Sequence, residues 1–202
     1  MSQVYPTIAN PFMPQGTPDK TNAASPIYAP GELGCQFYDQ NTGGRYLRVQ
    51  LDSGATSATS VGAVVAGQIA YWKNQAASGG YLVTNDKNQC DLGPAAAINR
   101  IAGIFQLAVT TAPNVNGPDG NPSLYTTDLV ITKNAFNVAA SGSLTAGGYA
   151  TANTSASTAN AISTTAGTAP PSQTIGVWTS ATTSTVNAIT VGTCNVNIAF
   201  SD

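Results

Sequence analysis

The chain contains no histidine. That absence removes Ser-His-Asp and Cys-His catalysis, the usual zinc sites and the commonest general base. Charge is scarce as well: charged residues make up 8% of the 202 residues, against about a quarter in an average globular domain. The seven basic residues are scattered, and only Arg45 and Arg48 sit close together. Nucleic-acid binding needs a basic patch to neutralise phosphates, and none is readable here. No apolar run is long enough for a membrane-spanning helix. The longest, Val61 to Trp72, is interrupted by Gly62, Gly67 and Gln68. The N-terminus shows neither the basic start nor the apolar stretch of a secretory leader, so cytosolic synthesis is expected. Cys35, Cys90 and Cys194 are odd in number and lack Cys-x-x-Cys spacing, so buried free thiols are expected rather than a disulfide framework. No Walker-type loop and no Gly-x-Gly-x-x-Gly after a strand occurs. No cofactor is expected.

The missing charge is replaced by Ala, Thr, Ser, Asn and Gly. With Val, Ile and aromatics retained, this composition predicts many short strands joined by small-residue turns. The expected fold is all-β, a β-barrel or β-sandwich with an extended N-terminal arm and very little helix. Residues 1–32 form the arm. Six of the 12 prolines fall within the first thirty residues, and each removes a donor and disfavours helix at the residue before it. The arm also carries Tyr5, Ile8, Phe12, Ile27 and Tyr28, apolar pegs that a passive tether does not need. These five are the candidate docking residues. Residues 33–135 read as a β domain. Residues 136–202, rich in Thr, Ala and Ser, are either a second small β unit or the completion of the same domain. After Lys133 the only charged side chain is Asp202. A surface so poor in charge suits contact with other protein, or stays soluble through hydroxyls and amides.

Cys35–Asp39 and Arg45–Leu51 flank an Asn/Gly turn and read as a hairpin, with Leu47, Val49 and Leu51 on one face and Tyr46, Arg48 and Gln50 on the other. Further strands are expected over residues 61–65, 68–72, 80–84, 103–110 and 124–132, and a short helix over 94–100. A weak internal echo is visible. Ala66-Gly-Gln-Ile-Ala-Tyr71 precedes Ile101-Ala-Gly-Ile-Phe105, as Ala146-Gly-Gly-Tyr-Ala150 precedes Ile175-Gly-Val-Trp178. A duplicated β unit and a shared Ala/Gly-rich composition both account for it.

Few motifs carry chemistry. Asp52-Ser-Gly-Ala55 resembles the Asp-Ser/Thr-Gly-Ala loop of aspartic proteases. Such enzymes need two carboxylates sharing a proton, and no second copy occurs, which leaves only a dimeric enzyme using Asp52. The competing reading is an ordinary end-of-strand turn. Asp39-Gln-Asn-Thr-Gly43 faintly resembles a calcium loop, but its Gly is misplaced and no Glu closes it, so a hairpin turn is the simpler reading. Tyr71, Trp72, Phe105 and Trp178 read either as core anchors or as a sugar-binding platform.

The strand order resembles that of the capsid decoration (cement) proteins of tailed bacteriophages. The resemblance covers about residues 33–132. It rests on Arg45-Tyr-Leu-Arg-Val49, Gly67-Gln-Ile-Ala-Tyr-Trp72, Tyr81-Leu-Val-Thr84 and Ile101-Ala-Gly-Ile-Phe105. The arm, Phe105-Gln106 and the Thr-rich C-terminal part depart from the short members of that family. The resemblance implies a non-enzymatic virion protein on the capsid exterior. Its implied partners are the major capsid protein and other copies of itself, often as a homotrimer, with no nucleic acid and no membrane. Another virion part, such as a head fibre or tail component, and a carbohydrate-binding or surface-adhesion module remain alternatives.

Overall fold

The computed structural model describes residues 34, 36–51, 64–74, 82–90, 100–108, 126–153, 159–164 and 174–198. The arm, Asp52 and residues 94–99 of the expected helix lie outside them. Among the described residues ten strands form one sheet: β1 (Gln36–Asp39), β2 (Gly44–Leu51), β3 (Ile69–Asn74), β4 (Leu82–Thr84), β5 (Ile101–Phe105), β6 (Thr126–Ala139), β7 (Tyr149–Ala152), β8 (Ala161–Thr164), β9 (Gly176–Val186) and β10 (Ile189–Asn197). Among the described residues there is no α-helix, only a 3-10 turn over Lys87–Gln89. Asp86 caps that turn by accepting the Asn88 N–H.

The sheet curls into two half-barrels. In the first, β2 pairs with β4, β4 with β3, β3 with β5, β5 with β6, and β6 returns to β2. All these pairings are antiparallel except β2–β4, which is parallel. In the second, the C-terminal half of β6 pairs with β10, β10 with β9, β9 with β7 and β7 with β8. A single parallel bridge, Ala140 to Ala161, brings β8 back to the end of β6. β6 therefore belongs to both: residues 126–132 finish the first unit and residues 133–139 begin the second.

The echo in the sequence is a structural repeat with matching register. Ile69 faces Ile104 and Ala70 faces Gly103 in the first unit, as Tyr149 faces Val177 and Ala150 faces Gly176 in the second. Phe105 faces Leu129, as Trp178 faces Cys194. The loop bonds repeat too. Gly67 N–H donates to Phe105 O at 2.8 Å, and Gly147 N–H to Trp178 O at 2.8 Å. Phe105 N–H donates to Gln68 O, and Trp178 N–H to Gly148 O, both at 2.9 Å. Gly67 and Gly147 have positive φ, which glycine adopts without the Cβ penalty that other residues incur. Gly103 and Gly176 are required for space instead. A Cβ on Gly103 would lie 2.6 Å from Leu129 Cβ, and one on Gly176 would collide with the Asn195 carbonyl.

Each unit buries an interior built from equivalent positions. The first holds Leu47, Val49, Leu51, Val64, Ala70, Trp72, Val83, Ala102, Phe105, Leu129 and Ile131. The matching residues of the second are Phe136, Val138, Ala140, Leu144, Ala150, Ala152, Ala161, Ile175, Trp178, Cys194 and Val196. Volume is redistributed rather than copied. Trp72 corresponds to Ala152 and Leu51 to Ala140, while Phe105 corresponds to the larger Trp178. The second interior is continuous with the outer face of the first unit, where Tyr46, Ile69, Tyr71, Ile101, Ile104 and Val130 join it. Ile101 and Ile104 reach the same cluster because Ala102 is an extra residue opposite the Ala70–Tyr71 step, a bulge that resets the alternation. Residues 136–198 thus share a strand and a core cluster with residues 34–135.

Several strand limits differ from expectation. The strand expected over 103–110 runs from Ile101 to Phe105, after which Gln106 and Leu107 bend away. The strand expected to end at Thr132 continues to Ala139 through a break at Asn134–Ala135. There Ala135 takes φ 50° and donates its N–H to the Asn195 side chain at 3.0 Å.

Candidate interaction surface

The β1–β2 hairpin closes through the Asp39 turn. Asp39 Oδ1 accepts the Asn41 N–H at 2.9 Å, and Oδ2 accepts the Thr42 hydroxyl at 2.6 Å. These two bonds, the Thr42 hydroxyl first, hold the Asp39 carboxyl below its ordinary pKa. Both oxygens are committed to the turn, so the residues that resemble a calcium loop serve as a hairpin turn. No group of three or more His, Cys, Asp or Glu side chains able to hold a metal ion occurs among the described residues.

Beside the turn, side chains of β1, β2 and β6 build an aromatic and cationic cluster at the rim of the second core, with Tyr46 buried and Phe37 and Phe136 half-buried. Phe37 stacks on Tyr46, with centroids 5.5 Å apart and planes inclined by 18°. The Thr42 and Tyr46 hydroxyls share a hydrogen bond of 2.8 Å. Lys133 lies over the rings of Tyr46 at 5.8 Å and Phe136 at 5.1 Å, and its Nζ donates to the Tyr46 hydroxyl at 3.3 Å. Arg48 sits over Phe37 at 5.7 Å. It donates to both oxygens of Asp128, Nε at 3.0 Å and Nη2 at 3.3 Å. Arg48 and Asp128 are directly opposed on β2 and β6, and the Asp128 side chain is fully buried. Burial pushes the Asp128 carboxyl up, and Arg48 opposes that push. Tyr38, more than half exposed, and the exposed Arg45 are paired on the other face of the hairpin. Aromatic residues with arginine are the composition that protein interfaces favour. The sequence shows the hairpin and its alternation. It does not show that Lys133 and Phe136 join it, because that depends on β6 crossing β2 about ninety residues later in the chain.

Two cysteines and four large aromatics elsewhere are enclosed. Cys90 and Cys194 are buried and form no disulfide. Burial pushes the Cys194 thiol up to about 12, far from the thiolate that reactive cysteines require. Trp72, Trp178, Tyr71 and Phe105 are all at most 4% exposed, so they are core anchors and form no sugar platform. Tyr71 is buried with its hydroxyl unpartnered among the described residues. Its pKa is raised, by burial first and then by Cys90 and Asp86. An orphaned buried hydroxyl costs about 1–3 kcal/mol of desolvation. Tyr71→Phe is therefore expected to leave the melting temperature unchanged or raise it, as thermal unfolding would read. A loss above about 1 kcal/mol would show that the hydroxyl is bonded after all.

The five docking candidates, Tyr5, Ile8, Phe12, Ile27 and Tyr28, lie outside the described residues, as does Asp52 of the protease-like loop. No family profile, curated protein or solved structure matches the chain.

Proposed function

We propose that the protein is a non-enzymatic structural component of a virion, a decoration protein that binds the outside of a capsid shell and stabilises it. The observation that carries this reading is where the resemblance falls in the fold. Its segments supply β2, β3, β4 and β5, and these close one half-barrel with β6. The raised thiol of buried Cys194 and the enclosure of Tyr71, Trp72, Phe105 and Trp178 fit a molecule whose contacts are made by its surface. The major capsid protein is the partner, and the arm supplies the strap. Ordering a free arm costs about 1 kcal/mol or more per residue. Prolines lower that cost by narrowing the unbound ensemble. Burying Tyr5, Ile8, Phe12, Ile27 and Tyr28 returns roughly 1.5–3 kcal/mol each at the upper limit. Fixing all thirty residues would cost about 30 kcal/mol, more than the roughly 8–15 kcal/mol that five pegs return, so only short stretches around the pegs can be ordered and affinity depends steeply on single pegs.

Co-sedimentation with capsids tests this. Deleting residues 1–30 is expected to leave a folded β protein that binds capsids far more weakly, and Phe12→Ala to reproduce part of the loss. Full-length protein that stays in the supernatant would overturn the capsid reading. A truncated chain that decorates capsids with unchanged affinity would overturn the role of the arm.

A further inference from the structure

The second unit needs β9 only as far as Trp178. Up to that residue β9 follows its counterpart β5 and pairs with β7, through Tyr149–Val177 and Ala150–Gly176 and the Gly147 and Gly148 bonds to Trp178. Thr179–Val186 has no counterpart among the described residues after β5, where Gln106 and Leu107 bend away. It is a strand, yet it contributes nothing to either interior, and residues 181–188 are exposed on both faces. One edge is taken by β10, through Thr183–Gly192, Ser184–Val191, Thr185–Thr190 and Val186–Ile189. Among the described residues no strand pairs with the other edge.

That edge lacks the usual protections. Natural edge strands carry lysines, prolines or inward charges that block pairing with another chain. Val177–Val191 contains no charged residue and no proline. The distal part is held stiffly by a two-residue turn, Asn187–Ala188, with φ of 48° and 65°. Both values are those of the hairpin turn whose twist matches the strands. A Ser180–Thr182 hydroxyl contact and the Thr179 hydroxyl on Thr193 O (3.1 Å) brace the base of the ribbon.

The pairing pattern says which groups face outward. Residues closing a two-residue hairpin exchange both hydrogen bonds, and bonded and non-bonded pairs then alternate. Thr190 O accepts Ala140 N–H at 2.8 Å, so it points to β6 and away from β9. Its opposite, Thr185, and by alternation Thr183, turn their N–H and C=O groups to the open edge.

We propose that this open edge pairs antiparallel with the same edge of a second copy, about a two-fold axis through Ser184. Outward groups must meet outward groups, so Thr183 of one copy faces Thr185 of the other and Ser184 faces itself. Four backbone hydrogen bonds then join the copies. The register is self-complementary because no charge meets its own image, and cross-strand Thr pairs favour it. The contact joins copies in pairs and is compatible with any further grouping. It deepens the reading of the protein as one that associates with its own kind. Its test uses no capsid, so failure of capsid binding and failure of this contact are read separately.

The test is made on the full chain in a Cys35→Ser background, since Cys90 and Cys194 are buried. Ser184 on the axis is a non-hydrogen-bonded pair with itself, with Cα atoms about 4.5 Å apart, inside the range a disulfide spans. Ser184→Cys is expected to form a covalent dimer under mild oxidation, seen on non-reducing electrophoresis. Thr185→Cys is expected to form none, because Thr185 meets Thr183. In light scattering the unsubstituted chain should show dimer mass that falls on dilution. Thr185→Pro, which removes an outward N–H and leaves the β10 ladder intact, should be monomeric with an unchanged circular dichroism spectrum. No covalent dimer from Ser184→Cys, equal cross-linking by Thr185→Cys, or an unchanged mass for a folded Thr185→Pro would each overturn the proposal.

Discussion

Replacing Arg48 with methionine is expected to destabilise the protein by about 3–5 kcal/mol at neutral pH. The methionine stem would still cover Phe37, but the Asp128 carboxylate, fully buried opposite it, would lose both of its guanidinium bonds. Breaking a buried pair costs more than the pair contributes, because one charge is left in a medium that solvates it poorly. In a chain of this size the melting temperature should fall by about 2–4 °C for each kcal/mol. The pH dependence has a definite sign. The folded state already raises the Asp128 pKa above its ordinary 3.8, with burial as the main cause. A group raised on folding contributes stability that is complete below its unfolded pKa and is lost as pH rises through the folded one. Without Arg48 the folded value climbs further. The deficit of Arg48→Met relative to the unsubstituted protein should therefore shrink as pH falls through that raised value. Adding Asp128→Leu should restore most of the stability at neutral pH, since two well-packed apolar residues often replace a buried pair at little cost. A single substitution costing under about 1 kcal/mol, or a double substitution worse than the single, would refute this account.

How much of this fold the sequence discloses depends on the range of the interaction. The β1–β2 hairpin is local. Asp39 and Gly43 close the turn, and Leu47, Val49 and Leu51 point inward as their alternation predicts. Tyr46 and Arg48 read as a polar face, yet Tyr46 is 1% exposed. The second unit joins that side of the sheet, and nothing in residues 44–51 announces it. The length of β6 is hidden for a related reason. Lys133-Asn-Ala looks like a strand end, but the side chain of Asn195, sixty residues later, accepts the Ala135 N–H and lets the strand continue. The repeat is visible in the sequence only as paired Gly-led and Gly-centred segments. The glycines persist because positive φ at Gly67 and Gly147 and close backbone approach at Gly103 and Gly176 admit nothing larger. The interior residues around them differ freely in size, which erases the rest of the likeness. The cluster built by Phe37, Tyr46, Arg48, Lys133 and Phe136 is half legible, since only the hairpin's share has a local signal.

Trp178→Ala is expected to cost about 3–5 kcal/mol, the range for emptying a buried large aromatic site. Trp178 is 1% exposed and is the largest side chain of the second interior. Three positions of that interior are smaller than their counterparts: Ala140, Ala152 and Ala161 stand where the first unit has Leu51, Trp72 and Val83. The indole is the largest single contribution to filling this interior, and alanines at these three positions leave little side-chain volume to collapse into its space. Gly192 is part of the same fit. A Cβ there would lie 2.8 Å from the indole and collide with Leu144. Trp178→Phe should cost distinctly less, for two reasons. Phenylalanine is what the first unit carries at the equivalent Phe105, and the substitution removes an indole N–H that has no partner among the described residues. The remaining loss is the space the indole fills beside Gly192 and Leu144. Both units share β6 and one core cluster, so the damage should not stay local. Thermal unfolding of Trp178→Ala should remain one transition displaced to lower temperature, with far- and near-ultraviolet circular dichroism changing together. Two separated transitions would show that the half-barrels fold independently despite the shared strand. A shift of only a degree or two would show that Trp178 is not what fills the second interior.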